Sequence, residues 1–391
     1  MLREVYLDNS ATTRPYPEVA RAVLEAMEDN YGNPSSPHRK GVEAGRLVAR
    51  ARESVAASLG VAPANIIFTG AGSEAINLAI KGLSPGRTGK HVITTAVEHP
   101  AVLNACEQLK EQGLEVTVLP VDANGMVEVK DLIGALRADT YLVAIMHVNN
   151  EVGAVQPLAE ISAVLKEFRQ GGRKLFWHVD AVQAYGKLPL RPRDLGIDLL
   201  SVSAHKVHGP KGVGALYAAP GTPLKPLVAG GGQEWGLRSG TENVPGIAGF
   251  GAAAGVIAQD TGKTASRLFN LKKRLVDGLL ASVPGAVLNG PACREDEPGC
   301  APHIANISFP GLAGEVLLHS LEEQGVYVST GSACASRKKP GSHVLRAMGL
   351  DEKLVQGAVR FSLATLNTAE EVDYAVRVTA RVVKQLRELY G

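Results

Sequence analysis

Cysteine is scarce in this chain. Its 391 residues hold four, Cys106, Cys293, Cys300 and Cys334. That is too few for a disulfide framework and suits a reducing compartment. Neither sign of charge dominates either: 41 Lys+Arg face 39 Asp+Glu, a net of +2. Such balance gives no electrostatic footprint for DNA or RNA, so no direct nucleic-acid partner is expected. No uncharged apolar run approaches the ~20 residues that span a bilayer. The most apolar stretch, Gly246 to Ala258, is short and rich in Gly and Ala, and reads as a buried helix. Met1 to Asp8 reaches an acid with no long apolar region, so no targeting segment and a cytoplasmic location are expected. With 45% hydrophobic and 20% charged residues, disorder is excluded. The length suggests two or three domains at ~150 residues each, with a core that needs no staples.

What is present is an alternation of short β-branched runs and helical patterns. The strand candidates are Ile66–Thr69, His91–Thr95, Val116–Leu119, Tyr141–His147, Leu175–Val179, Leu199–Ser203 and Val213–Tyr217. Between several of them, segments such as Glu74–Lys81, Val102–Gln112 and Ile161–Phe168 repeat apolar residues three or four apart. Alternation of this kind predicts an α/β fold with a mainly parallel sheet. Most of the strands are nearly continuous apolar runs, as when helices cover both faces. After Tyr217 the texture changes. A glycine-rich loop at 229–234 leads to helical patterns from Val244 to Val283. Shorter strands (Asn306–Phe309, Val326–Ser329, Val359–Leu363) then mix with helices at Gly314–Glu323 and Ala369–Leu389. That reads as a smaller α+β domain beyond a boundary near 255.

Ligands of open α/β sheets bind at the carboxyl ends of the strands. Several candidate strands here end in reactive residues: Glu98-His99, Asn149-Asn150-Glu151, Asp180 with Gln183, and His205-Lys206. Ile66–Thr69 opens into Gly70-Ala71-Gly72-Ser73-Glu74 and then a helix. Small residues before a helix N-terminus let backbone N–H groups approach an anion such as a phosphate. The plainer reading is a tight turn with Ser73 as the cap. No Walker A loop and no Gly-x-Gly-x-x-Gly after the first strand appear. Lys206 is sharper. A lysine just past an apolar strand is desolvated, which favours an imine-forming amine. A solvated loop lysine is the alternative, and Lys211, in a turn, is the local competitor. Asp180 ends the preceding strand. A lysine amine with an Asp facing a pyridinium nitrogen is what pyridoxal phosphate requires, although Asp180 read alone also suits a helix N-cap.

At these residues the sequence resembles the cysteine desulfurases of the NifS/IscS type, pyridoxal-phosphate enzymes of aminotransferase class V. The matching stretches include Tyr6–Thr13, Gly32–His38, Glu98-His99, Val148–Gly153, His178–Gln183, Ser203–Lys206, Arg238–Asn243, Gly331-Ser332-Ala333-Cys334 and Arg360-Phe361-Ser362. They follow family order over nearly the whole chain. The resemblance implies the fold type I architecture of pyridoxal-phosphate transferases, with a large seven-stranded, mainly parallel sheet domain (15–255). A smaller α+β domain (1–14 and 256–391) would carry a mobile loop at about 329–343. It implies that Lys206 holds the cofactor covalently, Asp180 pairs with its ring nitrogen, Gln183 with its phenolic oxygen, and His99 lies over the ring and shuttles protons. Gly72, Ser73, Ser203 and His205 would hold the phosphate. Thr241 would reach the phosphate of the neighbouring subunit, so a homodimer is implied. Asn150 and Arg360 would bind the substrate carboxylate, which the planar guanidinium fork suits. Departures from the family pattern are Gly72-Ser73 for the common Ala-Thr, Asn9 in the N-terminal motif, and a Gly290–Ala305 segment without the usual Arg-Leu-Pro run.

Cys334 lies among small residues and is followed by Arg337-Lys338-Lys339. Small residues without apolar anchors predict an exposed, mobile loop, and adjacent cations favour the thiolate. Cys106 falls in a helical pattern and reads as a small core hydrophobe. Cys293 and Cys300 lack a second close Cys/His pair, so no metal site is expected. The function implied is conversion of L-cysteine to L-alanine. Sulfur would pass to Cys334 as a persulfide for delivery to an acceptor protein in iron–sulfur assembly or thiolation of tRNA or cofactors. A selenocysteine lyase or class V aminotransferase is the alternative on the same fold. A non-catalytic sulfur-carrier subunit and a nicotinamide dehydrogenase are remoter ones.

Overall fold

The computed structural model describes residues 3–83, 89–170, 172–259, 261–292, 299–330 and 341–390. Strands in chain order are β1 (Val5–Tyr6), β2 (Ile66–Thr69), β3 (His91–Thr95), β4 (Glu115–Leu119), β5 (Thr140–Ala144) and β6 (Phe176–Asp180). They continue as β7 (Leu199–Ser203), β8 (Gly214–Ala218), β9 (Val287–Asn289), β10 (Ile304–Ser308), β11 (Val326–Tyr327) and β12 (Ala358–Ser362).

The seven candidate strands of the first two-thirds form one sheet in the order β2-β8-β7-β6-β5-β3-β4. Six of them run the same way. β8 is antiparallel to both its neighbours, β2 and β7. The connection from Ser203 to Gly214 is too short to hold a crossover helix, and a parallel return needs a dozen residues or more. β2, β3, β5 and β7 are buried along their whole length, as their largely apolar runs predict for a sheet covered on both faces. β4, at one edge of the sheet, is largely half-exposed or exposed. The run Tyr141–His147 is strand only to Ala144. Beyond it Ile145 and His147 still donate to the carbonyls of His178 and Asp180, but the pairing with β3 has ended at Val143.

The apolar run at 246–258 lies in a helix, Val244–Gln259, that packs on the helices Arg39–Leu59 and Pro17–Glu28. Its Ile247, Phe250 and Ala254 are buried in the main core. A second apolar cluster gathers around β9, β10 and β12, which form an antiparallel sheet. The helices Thr261–Ser282 and Ala369–Tyr390 pack together there. β1 belongs to this layer, pairing in parallel with β11 and contributing Val5, with Leu7 beside it, to the same cluster. Asn9 fixes the chain where it leaves. Its Nδ2 donates to the Tyr6 and Ser362 carbonyls and to Asn367 Oδ1. The N-terminal segment then crosses to the large sheet, where Thr13 N–H donates to the His205 carbonyl at 2.9 Å. No helix among the described residues is long and apolar enough to cross a membrane.

Candidate active site

Because six strands share one direction, their carboxyl ends share one edge, and a cavity of about 360 Å³ opens there. The strand-end residues predicted from sequence converge on it. β2 delivers Gly72 and Ser73, the segment after β3 His99, and that after β5 Asn150 and Glu151. β6 delivers Asp180 and Gln183, and β7 delivers Ser203, His205 and Lys206. The crossing N-terminal segment adds Ser10 and Ala11, and the small sheet adds Arg360.

The helix Gly72–Lys81 begins at this edge with Ala71 at its N-cap and no capping side chain, so Ser73 does not cap it. A Cβ on Gly72 would lie 3.0 Å from Val182 Cγ2 and 3.2 Å from Ser203 Cβ. A side chain there would make Val182 and Ser203 give way by a few tenths of an ångström. Ser203 Oγ itself is buried with no hydrogen-bond partner among the described residues. Free helix N–H groups beside such a hydroxyl suit an anion.

After β7 the chain makes a single 3₁₀ turn, Ala204–Lys206, which presents the half-buried Lys206. Its Nζ donates to the carbonyls of Ser10 at 2.5 Å and Ala11 at 2.7 Å. Asp180 is buried, and its Oδ1 accepts from Val182 N–H at 2.9 Å. Burial pushes its carboxyl up to about 6, opposed by that hydrogen bond and by the charge of Lys206. Gln183 Nε2 donates to the Ser10 carbonyl at 3.0 Å, while its Oε1 has no partner among the described residues.

His99 occupies the N-cap of the helix Pro100–Glu111, where its Nδ1 accepts from Ala101 N–H at 3.1 Å. An accepting Nδ1 places the proton of the neutral ring on Nε2. Burial, then the charges of Lys206 and His343, pull its pKa down to about 4. His205 is also pulled down to about 4, by burial and by the charges of Lys206, Lys211 and Lys187. Both rings are therefore neutral at pH 7. Arg360 is buried. Nη1 donates to the Asn150 carbonyl at 2.9 Å, Nη2 to Asp8 Oδ1 at 2.8 Å, and Nε has no partner among the described residues. The positive groups of the cavity, Lys206 and Arg360, face a helix N-terminus, so the site as a whole favours anionic ligands.

Two predicted residues are not part of this constellation. Thr241 is exposed and does not line the cavity. Cys334 lies outside the described residues, as does Cys293. Gly341 and Ser342, which follow the 331–340 segment in sequence, do line the cavity. Cys106 is buried, and burial, with the charge of Glu98, pushes its thiol up to about 12, so it is inert. Cys300 is half-buried, with Lys272 Nζ 2.8 Å from its sulfur.

The structure adds cavity residues given no role from sequence. Ser10 and Ala11 act through backbone carbonyls, which no residue type advertises. Glu151 stands in the Asn149-Asn150-Glu151 run and is buried with one carboxylate oxygen, Oε2, without a partner among the described residues. His343, a lone histidine in sequence, donates from Nε2 to the Glu98 carbonyl at 3.0 Å and places Nδ1 4.0 Å from Glu151 Oε1.

Residues 5–375 match the family model for aminotransferase class V. The chain is 44% identical over 386 residues to a cysteine desulfurase of Trichormus azollae, covering 98% of this chain and 94% of that one. It is 42% identical over 391 residues to the cysteine desulfurase IscS of Clostridium botulinum, covering 100% and 96%. Among solved structures it superposes on a NifS-like protein with a TM-score of 0.90 at 39% identity, over 98% of this chain and 100% of that one.

Proposed function

The chain belongs to the aminotransferase class V family, and from that premise we propose that it is a cysteine desulfurase. It converts L-cysteine to L-alanine and moves the sulfur to its own Cys334. The observation that carries this reading is one cavity holding the Lys206 amine, the buried Asp180 carboxyl and two polar atoms, Ser203 Oγ and Gln183 Oε1, that have no partner among the described residues.

Pyridoxal phosphate fits that donor set. Lys206 would hold it through its amine, Asp180 would face the pyridine nitrogen and Gln183 the phenolic oxygen, with His99 over the ring. The Gly72 backbone, Ser73, Ser203 and His205 would receive the phosphate at the start of the helix Gly72–Lys81. Thr241, exposed on this chain, would reach the phosphate of a second copy in a homodimer. When bound, the cofactor supplies an electron sink for the charge left on the substrate α-carbon.

The chain's own groups do the rest. Arg360 and Asn150 orient the substrate carboxylate, and the Lys206 amine takes the α-proton. His99 holds a proton at Nε2, ready to donate. The Cys334 thiolate, favoured by Arg337, Lys338 and Lys339, attacks the substrate sulfur. A sulfur–sulfur bond forms as the carbon–sulfur bond breaks, and the bonding pair stays with carbon. Protonation of the carbon fragment gives alanine, and the persulfide stays on Cys334 for a sulfur-acceptor protein. We place the protein in the reducing cytoplasm on its cysteine content.

The test is Cys334→Ala, assayed for alanine from L-cysteine without added thiol. Alanine formation should stop. A normal rate would show that Cys334 is not the acceptor. Lys206→Ala should remove the visible absorbance of the loaded protein.

A further inference from the structure

Lys187 does not line the cavity and has no part in the chemistry above. It is 6% exposed, and its Nζ donates to the backbone carbonyl of Lys206 at 2.9 Å. After β6 the chain coils tightly. Tyr185 N–H returns to the Ala181 carbonyl and Lys187 N–H to that of Ala184. Tyr185 Oη is 2.6 Å from Ser58 Oγ, which fixes the coil to the helix Arg39–Leu59. Gly186 has φ of +72°, and a Cβ there would lie 2.9 Å from Ile257 Cδ1 and 3.1 Å from Val207 Cγ1. Only glycine makes this turn in this space, and the turn sends Lys187 beneath the 3₁₀ segment that carries Lys206.

The surroundings of the Lys187 ammonium are unfavourable. Among the described residues its side chain has one hydrogen-bond acceptor, the Lys206 carbonyl, and no carboxylate at ion-pair distance. Among the described residues its charge lowers the pKa of His205, His208 and His303, and the charge of Lys206 acts on Lys187 itself. Burial, then the charge of Lys206, pulls the Lys187 amine down to about 7. A methionine would fill this volume without burying a charge.

We propose that Lys187 is a positioning residue for Lys206. It pins the 204–206 turn through the Lys206 carbonyl, and in its protonated form it opposes a second positive charge on the reactive amine. The repulsion keeps the Lys206 nitrogen poised to accept a proton and release it again.

This inference rests on Lys206 being the amine that holds the cofactor, and the experiment separates the two. The holoenzyme is titrated by visible absorbance, which follows the proton on the nitrogen joining Lys206 to the cofactor. Lys187→Met should raise the midpoint by about one pH unit, a tenfold change in that protonation equilibrium. Lys187→Gln, polar but uncharged, should shift it in the same direction and serves if the methionine variant does not fold. Lys187→Arg keeps the charge and should keep the midpoint. Coloured Lys187→Met or Lys187→Gln protein with the unsubstituted midpoint would overturn the proposal, because a merely structural lysine changes stability and not this titration. A colourless unsubstituted protein would overturn the cofactor reading, and the proposal with it.

Discussion

Arg360 Nη2 donates to Asp8 Oδ1 at 2.8 Å, an ion pair that ties β12, at the cavity wall, to the N-terminal segment. The same guanidinium holds the Asn150 carbonyl through Nη1. Arg360 thus joins three parts of the chain, and only a planar fork can do so while offering further N–H groups to a substrate carboxylate. Arg360→Lys keeps the charge and loses the fork. A charge-assisted hydrogen bond is worth ~1.5–3 kcal/mol, so KM for L-cysteine should rise roughly 10- to 100-fold, with a smaller fall in kcat. Steady-state kinetics decide the point. An unchanged KM would remove Arg360 from carboxylate binding.

His99 has two separable tasks. Its Nδ1 caps the helix Pro100–Glu111, its Nε2 carries the proton of the neutral ring, and the residue lines the cavity. His99→Ala removes both. It should cost about 1 kcal/mol of stability through the lost cap and lower kcat roughly 100- to 10,000-fold. Asparagine is among the best N-cap residues, so His99→Asn should keep the unfolding midpoint and show the same loss of kcat. Denaturation curves beside single-turnover rates distinguish the two. A His99→Asn enzyme with normal kcat would confine His99 to a structural role.

The contrast between these residues shows what the sequence could disclose. Most strands of the large sheet were legible because a doubly covered strand is a largely apolar run, and the shared direction of six of them put His99, Asn150, Asp180 and Lys206 on one edge. β1 and β9 are too short for any periodicity. The reversal of β8 follows from connection length and not from its residues. The cap made by His99 was hidden because histidine is not a typical cap residue. Asp8 and Arg360 lie 352 positions apart, so their pairing belongs to the tertiary fold alone. The Ser10 carbonyl that receives Lys206 is a backbone atom without a residue signature.

Glu98 precedes His99 and is fully buried. Its Oε1 accepts from Thr95 Oγ1 and Met146 N–H, both at 2.8 Å, while Oε2 has no partner among the described residues. Burial pushes its pKa from 4.5 up to about 8, so the folded protein keeps the proton at neutral pH. Between those values the folded state binds a proton that the unfolded chain has lost, so this group's stabilising contribution falls as the pH rises through that window. Glu98→Gln keeps an accepting oxygen and does not titrate. Urea denaturation should show the variant gaining on the unsubstituted protein from about pH 4.5 to about pH 8, then a constant difference. A difference independent of pH would mean that Glu98 is ionised in the fold.

The glycine-rich loop at 229–234 is anchored by a buried ion pair. Arg52 forms a fork with Glu234, Nη1 to Oε2 at 2.7 Å and Nη2 to Oε1 at 2.6 Å, with side chains only 12% and 3% exposed. Glu234 also accepts from Phe68 N–H at 2.9 Å, so it fastens the loop to β2. Glu234 and Trp235 have φ of 46° and 56°, in the left-handed region uncommon for residues other than glycine. The guanidinium lies 4.5 Å from the Trp235 ring centroid and 4.8 Å from that of Phe68, packed between them. Arg52→Met keeps the apolar stem but strands a buried carboxylate on a strained turn. The cost should be about 3–5 kcal/mol in urea denaturation. Arg52→Met with Glu234→Gln should recover part of it, because the stranded charge is gone. A loss of under ~1 kcal/mol in the single variant would place the pair among ordinary surface salt bridges and leave the left-handed turn to be held by its own packing.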